Sequence, residues 1–192
     1  MESAVKEIVN VSKYLFNRKL VSGKAGNVSS RVKTEFSDII AITPTMQSLA
    51  DIKEEDVVLL DLDGNLLTKG KPSSEFKLHL SIYKKRPDVN GIVHTHSPFA
   101  TGFSFSTKRI KRLEGFGKIS TPYLEDIDYE IPGSDELALK SSLAIGKEDV
   151  LILKHHGVLA TGESVEEAGA LAEFVEDIAK TQFISHMLNI SE

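Results

Sequence analysis

The spacing of apolar residues sets out a series of alternating elements. Val5, Ile8, Val9, Val11, Leu15 and Phe16 recur near the helical period and predict a helix over 3–19. The Ser22-Gly23-Lys24-Ala25-Gly26-Asn27 segment breaks it. Two short β-like runs follow, Val28 to Val32 and Ile39 to Thr43, and then a loop from Pro44. Val57 to Leu62 reads as a buried strand, and Asp63-Gly64-Asn65 as a hairpin turn, because Asp-Gly tolerates the positive φ such turns require. Ser73 or Ser74 is placed to cap a helix near 75–86. Val89 to Val93 is a strand that runs into His94-Thr95-His96, and Ser97-Pro98 opens another helix with proline in its first turn. Residues 107–132 carry no clear period and predict short strands and loops. Ser134 caps a helix near 135–145, with Asp135 and Glu136 in its first turn. Asp149 to Lys154 and Gly157 to Thr161 are strands, and Ser164 with Glu167 has capping-box spacing ahead of a long final helix.

Strands joined by tight turns, with helices between them, predict an α/β domain whose sheet is mixed or largely antiparallel. No repeat, low-complexity stretch or linker divides the chain, so residues 1–192 are expected to form one domain. A net charge of −5 gives no reason to expect nucleic acid or an anionic membrane as partner. No run reaches the ~20 apolar residues of a membrane span, and Met1 to Leu20 lacks the apolar stretch of a secretory signal. The expected compartment is the cytoplasm. The chain has no cysteine, so a metal site must be built from His, Asp or Glu.

Four of the six histidines sit in two clusters, each at the end of an apolar strand: His94 with His96, and His155 with His156. Residues i and i+2 of a strand share a face, so His94 and His96 can present two imidazoles to one ion. A third histidine from another strand end would complete the three-ligand set of a catalytic metal with an open position. A lone strand histidine is ordinarily a hydrogen-bonded sheet residue; the paired clusters favour a metal. Zinc suits an all-imidazole set, although other divalent metals also accept one. His79, one helical turn after Glu75, and His186 read as structural. Glu75, from its local sequence, is a first-turn carboxylate complementing the helix dipole. Gly23-Lys24-Ala25-Gly26-Asn27, Thr43-Pro44-Thr45 and Ser73-Ser74 offer amides, hydroxyls and one cation, the pieces of an anion site if the fold brings them together.

Taken together, Gly23 to Arg31, Ile42-Thr43-Pro44-Thr45, Lys71-Pro72-Ser73-Ser74-Glu75, His94-Thr95-His96-Ser97 and His155-His156-Gly157 resemble the class II aldolase/adducin family, most of all its fuculose-phosphate aldolase branch. The resemblance covers nearly the whole chain. It implies a three-layer α-β-α sandwich with a mainly antiparallel central sheet. It also implies a homotetramer with sites at subunit interfaces. It makes His94, His96 and His156 ligands of one Zn2+, Glu75 the catalytic acid/base, and Asn27, Thr45, Ser73 and Ser74 binders of substrate phosphate. Lys24 stands where relatives carry a small residue and adds a cation to that loop. His155 stands where relatives often have Asn, and reads as supporting the ligands. The implied reaction is cleavage of a ketose 1-phosphate, such as L-fuculose 1-phosphate, to dihydroxyacetone phosphate and an aldehyde by retro-aldol chemistry through an enediolate. A pentulose-5-phosphate 4-epimerase, a methylthioribulose-1-phosphate dehydratase and a non-catalytic adducin-like module are the alternatives. Met46 stands where the fuculose enzymes usually have Gly, and Tyr123 and Tyr129 are the candidates for the tyrosines those enzymes use.

Overall fold

A computed structural model of the chain describes residues 1–112 and 121–190. Seven strands form one sheet in the order β3-β2-β1-β4-β7-β6-β5. They are β1 (Asn27–Val32), β2 (Ile39–Ile42), β3 (Val58–Asp61), β4 (Gly91–Thr95), β5 (Glu125–Ile127), β6 (Val150–Leu153) and β7 (Gly157–Gly162). Every neighbouring pair is antiparallel except β5 with β6. The helices are α1 (Glu2–Asn17), α2 (Phe76–Lys85), α3 (Pro98–Ser104), α4 (Asp135–Ile145) and α5 (Val165–Ile190). The architecture is an α-β-α sandwich with a mainly antiparallel sheet.

Period-two alternation sorts each strand between the two helical layers. In β6, Val150 and Ile152 pack with Val175 and Ile178 of α5, while Leu151 and Leu153 pack with Leu78 and Ile82 of α2 and Leu137 of α4. In β4, Val93 joins Ile8, Val11 and Leu15 of α1, and Ile92 joins the α2–α4 layer. Ile8, Val11 and Leu15 form one helical stripe, and burying each such side chain stabilises the fold by about 1.5–3 kcal/mol.

The hairpin after β3 forms as expected. Gly64 has φ +88°, and the Asp61 carboxylate accepts from the backbone amides of Asp63 and Asn65. Ser134 and Ser164 accept hydrogen bonds from the amides of Leu137 and Glu167. One expected cap is different. Neither Ser73 nor Ser74 caps α2; Glu75 occupies the N-cap position, and Ser73 Oγ accepts from the Glu75 amide at 3.3 Å instead. The carboxylate of Glu75 is thereby left free to face away from its own helix. Helix α3 has a cap from a distance. The buried Glu176 of α5 accepts from the Phe99 and Ala100 amides at 2.9 Å each, fixing the helix that follows His96. Within 107–132 the structure adds β5 and a bridge between Lys111 and Tyr123; residues 113–120 lie outside those described.

Candidate metal and proton-transfer site

The site lies at one end of the central strands β1, β4 and β7. Asn27 is the cross-strand partner of His94, and His94 in turn pairs with Leu159. His94 points into the α2–α4 side of the sheet, and His96 follows two residues on, past the end of the strand. His156 arrives from the β6–β7 turn. The three rings stand edge to face with centroids 4.7–5.0 Å apart. One nitrogen from each lies within 4.8 Å of the others.

Gly157 makes this approach possible. Its φ is not in the left-handed region, so space rather than conformation demands glycine. A Cβ there would lie 2.4 Å from the Thr95 carbonyl oxygen, 3.1 Å from His94 Cε1 and 3.2 Å from His96 Cδ2. Gly26 plays the matching part on the other side of β4, where φ is +82° and a Cβ would meet Val21 at 2.5 Å and the His94 carbonyl oxygen at 2.9 Å.

The electrostatics favour a cation. Burial holds the His94 pKa well below its usual value, with His96 as a second cause, and burial lowers that of His96. His156 is pushed down to about 3, again chiefly by burial. All three imidazoles are therefore neutral near pH 7. His94 Nδ1 donates to the Val158 carbonyl oxygen at 2.9 Å, which leaves Nε2 as a lone pair. That Nε2 is 2.8 Å from His96 Nε2. Without a cation, a neutral His96 makes that contact by carrying its proton on Nε2 and donating to His94; a bound cation would take the place of that hydrogen bond. Glu75 Oε2 stands 3.3 Å from His94 Nε2 and Oε1 3.4 Å from His156 Nε2. Oε1 is buried with no hydrogen-bond partner. Convergent neutral imidazoles beside a carboxylate with an unused oxygen fit a borderline divalent cation.

The remaining expected residues fall into two groups. Thr43 to Thr45 runs beside Lys71 to Ser73: the Ser73 amide donates to Thr43 O at 2.9 Å and the Thr45 amide to Lys71 O at 3.1 Å. This antiparallel pairing sets Thr43 against Ser73, two residues before Glu75, and Thr45 against Lys71 at the far end of the bridge. Asn27 lies in the same region, but its amide is engaged, with Nδ2 donating to Glu75 Oε2 at 2.9 Å and Oδ1 2.6 Å from His79 Nε2. Lys24 is exposed on the turn that leads into Gly26. Met46 is 70% exposed and keeps φ +62°, the left-handed conformation that a glycine would adopt without cost.

One reading of the sequence changes. His155 does not support the ligands. It is exposed at φ +56°, and its ring lies edge-on to Phe105 with centroids 5.1 Å apart. The left-handed φ is one that Asn, the residue the resemblance implies there, adopts more readily than most non-glycine residues. Tyr129 stands against the same His155 ring at 6.4 Å, and Tyr123 against Arg109. His79, read as structural, is fully buried and hydrogen-bonded to Asn27 and Ser29. The signal was present: Glu75, His79 and Tyr83 are four apart on α2, and Asn27, Ser29 and Arg31 are two apart on β1. Each set is a polar stripe on a face otherwise expected to be apolar.

The described helices include none long and apolar enough to cross a membrane. Residues 6–183 match the family described as Class II Aldolase and Adducin N-terminal domain. An L-fuculose phosphate aldolase of Methanocaldococcus jannaschii is 41% identical over 180 residues, covering 94% of this chain and 96% of that one. A 3-oxo-tetronate 4-phosphate decarboxylase of Haemophilus influenzae is 34% identical over 190 residues, covering 94% and 87%. A solved L-fuculose 1-phosphate aldolase superposes with a TM-score of 0.87 at 28% identity, covering 100% of this chain and 89% of that one. With the fold, the histidine cluster and these relatives in agreement, the chain belongs to the class II aldolase/adducin family, on its enzymatic, aldehyde-lyase side.

Proposed function

We propose that this enzyme cleaves a ketose 1-phosphate, L-fuculose 1-phosphate or a close analogue, to dihydroxyacetone phosphate and an aldehyde. The observation that carries the reading is the convergence of three neutral imidazoles on one point beside the Glu75 carboxylate, with His94 facing Oε2 and His156 facing the unpartnered Oε1. His94, His96 and His156 hold a divalent cation, of which Zn2+ best suits three nitrogen ligands. Such a cation supplies Lewis acidity toward the oxygens of a bound ketose, where negative charge develops.

The chain's own groups do the rest. Glu75 moves the proton at C3. In cleavage, the C3–C4 bond breaks, the electron pair stays with the dihydroxyacetone phosphate half, the O4 hydroxyl gives its proton to the Glu75 carboxylate, and Glu75 delivers that proton to C3. In condensation the same carboxylate removes it. Glu75 is only 6% exposed, so little water competes for that proton. Thr45, Ser73, Ser74 and the second N–H of Asn27 hold the phosphate, with Lys24 as a cation on the solvent side. Substrate is thereby anchored beside Glu75, and anchoring converts proton transfer into an intramolecular step.

Self-association is supported by the exposed apolar end of α5, where Phe183, Ile184, Met187 and Leu188 are 45–67% exposed. We read this as part of a homotetramer with sites at subunit boundaries, acting in the cytoplasm.

The test is incubation of zinc-loaded protein with L-fuculose 1-phosphate, ribulose 1-phosphate and ribulose 5-phosphate. Release of dihydroxyacetone phosphate that falls by about 10²–10⁴-fold in Glu75→Gln is expected. Epimerisation of ribulose 5-phosphate at C4 without release would replace the aldolase reading. Protein that takes up no metal and turns over no substrate would remove the enzymatic site as described.

A further inference from the structure

Between α2 and β1 the layer interface is polar along a line about four residues deep. Arg31 donates to the carbonyls of Tyr83 and Arg86 at the end of α2 and lies over the Tyr83 ring at 4.8 Å. Tyr83 Oη is 2.8 Å from Ser29 Oγ, and Ser29 Oγ is 2.7 Å from His79 Nδ1. His79 Nε2 is 2.6 Å from Asn27 Oδ1, and Asn27 Nδ2 is 2.9 Å from Glu75 Oε2. Ser29, His79, Tyr83 and Asn27 are each no more than 4% exposed. A continuous chain of buried hydrogen bonds thus ends on the carboxylate at the site.

Chemistry gives this chain one direction. An ionised carboxylate only accepts, so Asn27 must present its NH2 to Glu75. The Asn27 carbonyl then faces His79, which must carry its proton on Nε2. His79 Nδ1 is left as an acceptor for the Ser29 hydroxyl, and Ser29 accepts from Tyr83. Burial keeps His79 neutral, its pKa lowered to about 4 against the opposing charge of Glu75. A neutral ring has one donor and one acceptor, and here both are used. With His79 in this tautomer, an Asn27 flip would set its NH2 against the His79 Nε2–H and its carbonyl against a carboxylate oxygen. Both new contacts would be repulsive.

We propose that His79 is a positioning residue that locks the Asn27 amide, so that Oε2 of Glu75 is permanently a hydrogen-bond acceptor and the proton moved in the reaction comes and goes on Oε1. Oε1 is the oxygen with no hydrogen-bond partner and the one nearer His156. The inference rests on the reading of Glu75 as the proton-transfer group, and it adds a residue that touches neither cation nor substrate.

The first test needs no substrate. Long-range 15N–1H correlation on protein carrying 15N-histidine, metal-free and zinc-loaded, reads the tautomer of His79. A neutral Nε2–H ring at pH 7 in both forms is expected; an Nδ1–H ring or an imidazolium would overturn the proposal even if the aldolase reaction is sound. The second test compares two variants in the zinc-loaded enzyme. His79→Phe fills the space but removes the donor, freeing Asn27 to turn; His79→Gln can return a donor near the Nε2 position. His79→Phe is expected to lose at least ~10-fold in kcat with zinc stoichiometry unchanged, and any rise in KM from the loosened Asn27 contact to the phosphate is expected to be smaller than that loss, because misplacement of a reacting group by an ångström costs up to about 10²-fold. His79→Gln is expected to recover most of that loss. Equal losses in both variants, or a change confined to KM, would reduce His79 to a packing residue. If no aldolase substrate is found, the nitrogen spectrum alone decides the tautomer, so failure of the reaction and failure of the relay are told apart.

Discussion

Gly157→Ala perturbs the site through a single methyl group. The added carbon would lie 2.4 Å from the Thr95 carbonyl oxygen, nearly an ångström inside ordinary contact, and the obstacle is strand backbone that cannot rotate away. β7 and β4 must separate at the point where Thr95 pairs with Val158. The His94 hydrogen bond to the Val158 carbonyl and the close approach of the His94 and His96 rings depend on that same contact. Overpacking of this kind costs about 1–3 kcal/mol. For a chain of 192 residues, 2 kcal/mol corresponds to a Tm lower by about 4–8 °C. The effect on function should be larger than on stability, because zinc affinity and turnover depend on ligand positions to a fraction of an ångström. Calorimetry of the metal-free protein, zinc titration and kcat together test this. A variant that melts within a degree of the parent and binds zinc with the same affinity would refute the steric account of this glycine. Loss of stability with zinc affinity intact would separate the strand contact from the ligand geometry.

Three further outcomes are expected. Glu176→Ala removes the carboxylate that takes the first amides of α3, and should cost about 1.5–3 kcal/mol by denaturant titration; an unchanged midpoint would show that water caps the helix equally well. Zinc at a hundred times its Kd should raise stability by about 2.7 kcal/mol, and this gain should vanish in His96→Ala. The third concerns pH. The folded pKa of His79 lies near 4 and its unfolded value near 6.5, so the unfolded chain binds the extra proton as pH falls. Stability contributed by the neutral ring is therefore complete above about pH 6.5 and declines between 6.5 and 4, by about 3 kcal/mol in all. The difference between the metal-free parent and His79→Gln, measured from pH 7 to pH 4, should shift by that order in favour of the variant. A difference independent of pH would show that His79 is not held neutral by burial.

Local pattern determined a great deal of this protein. Apolar periodicity marked the main helices and strands, because one face of each must meet the core whatever surrounds it. The serine caps at Ser134 and Ser164 and the turn at Gly64 were legible for the same reason: each is settled by residues within four positions of itself. The spacing of His94 and His96 alone showed that both could reach one point. The order of motifs along the chain was enough to identify the family.

Other features were decided only by the tertiary structure. Spacing left open whether His155 or His156 enters the site, and only the resemblance named His156; the physical reason lies in the β6–β7 turn, where a left-handed residue sends its ring outward and its neighbour inward. Glu75 reads locally as a dipole-complementing residue, yet its carboxylate turns to partners from strands and turns far along the chain. Its link to Asn27 spans 48 positions, and the His79 link to Asn27 spans 52. The cap on α3 comes from 76–77 positions away. A buried polar group must find its partner wherever the fold brings one within about 3 Å, and that distance has no counterpart in sequence spacing. The elements of this protein were thus written in its local pattern, while the pairing of its buried polar groups waited on the packing of α2 against β1 and of β7 against β4.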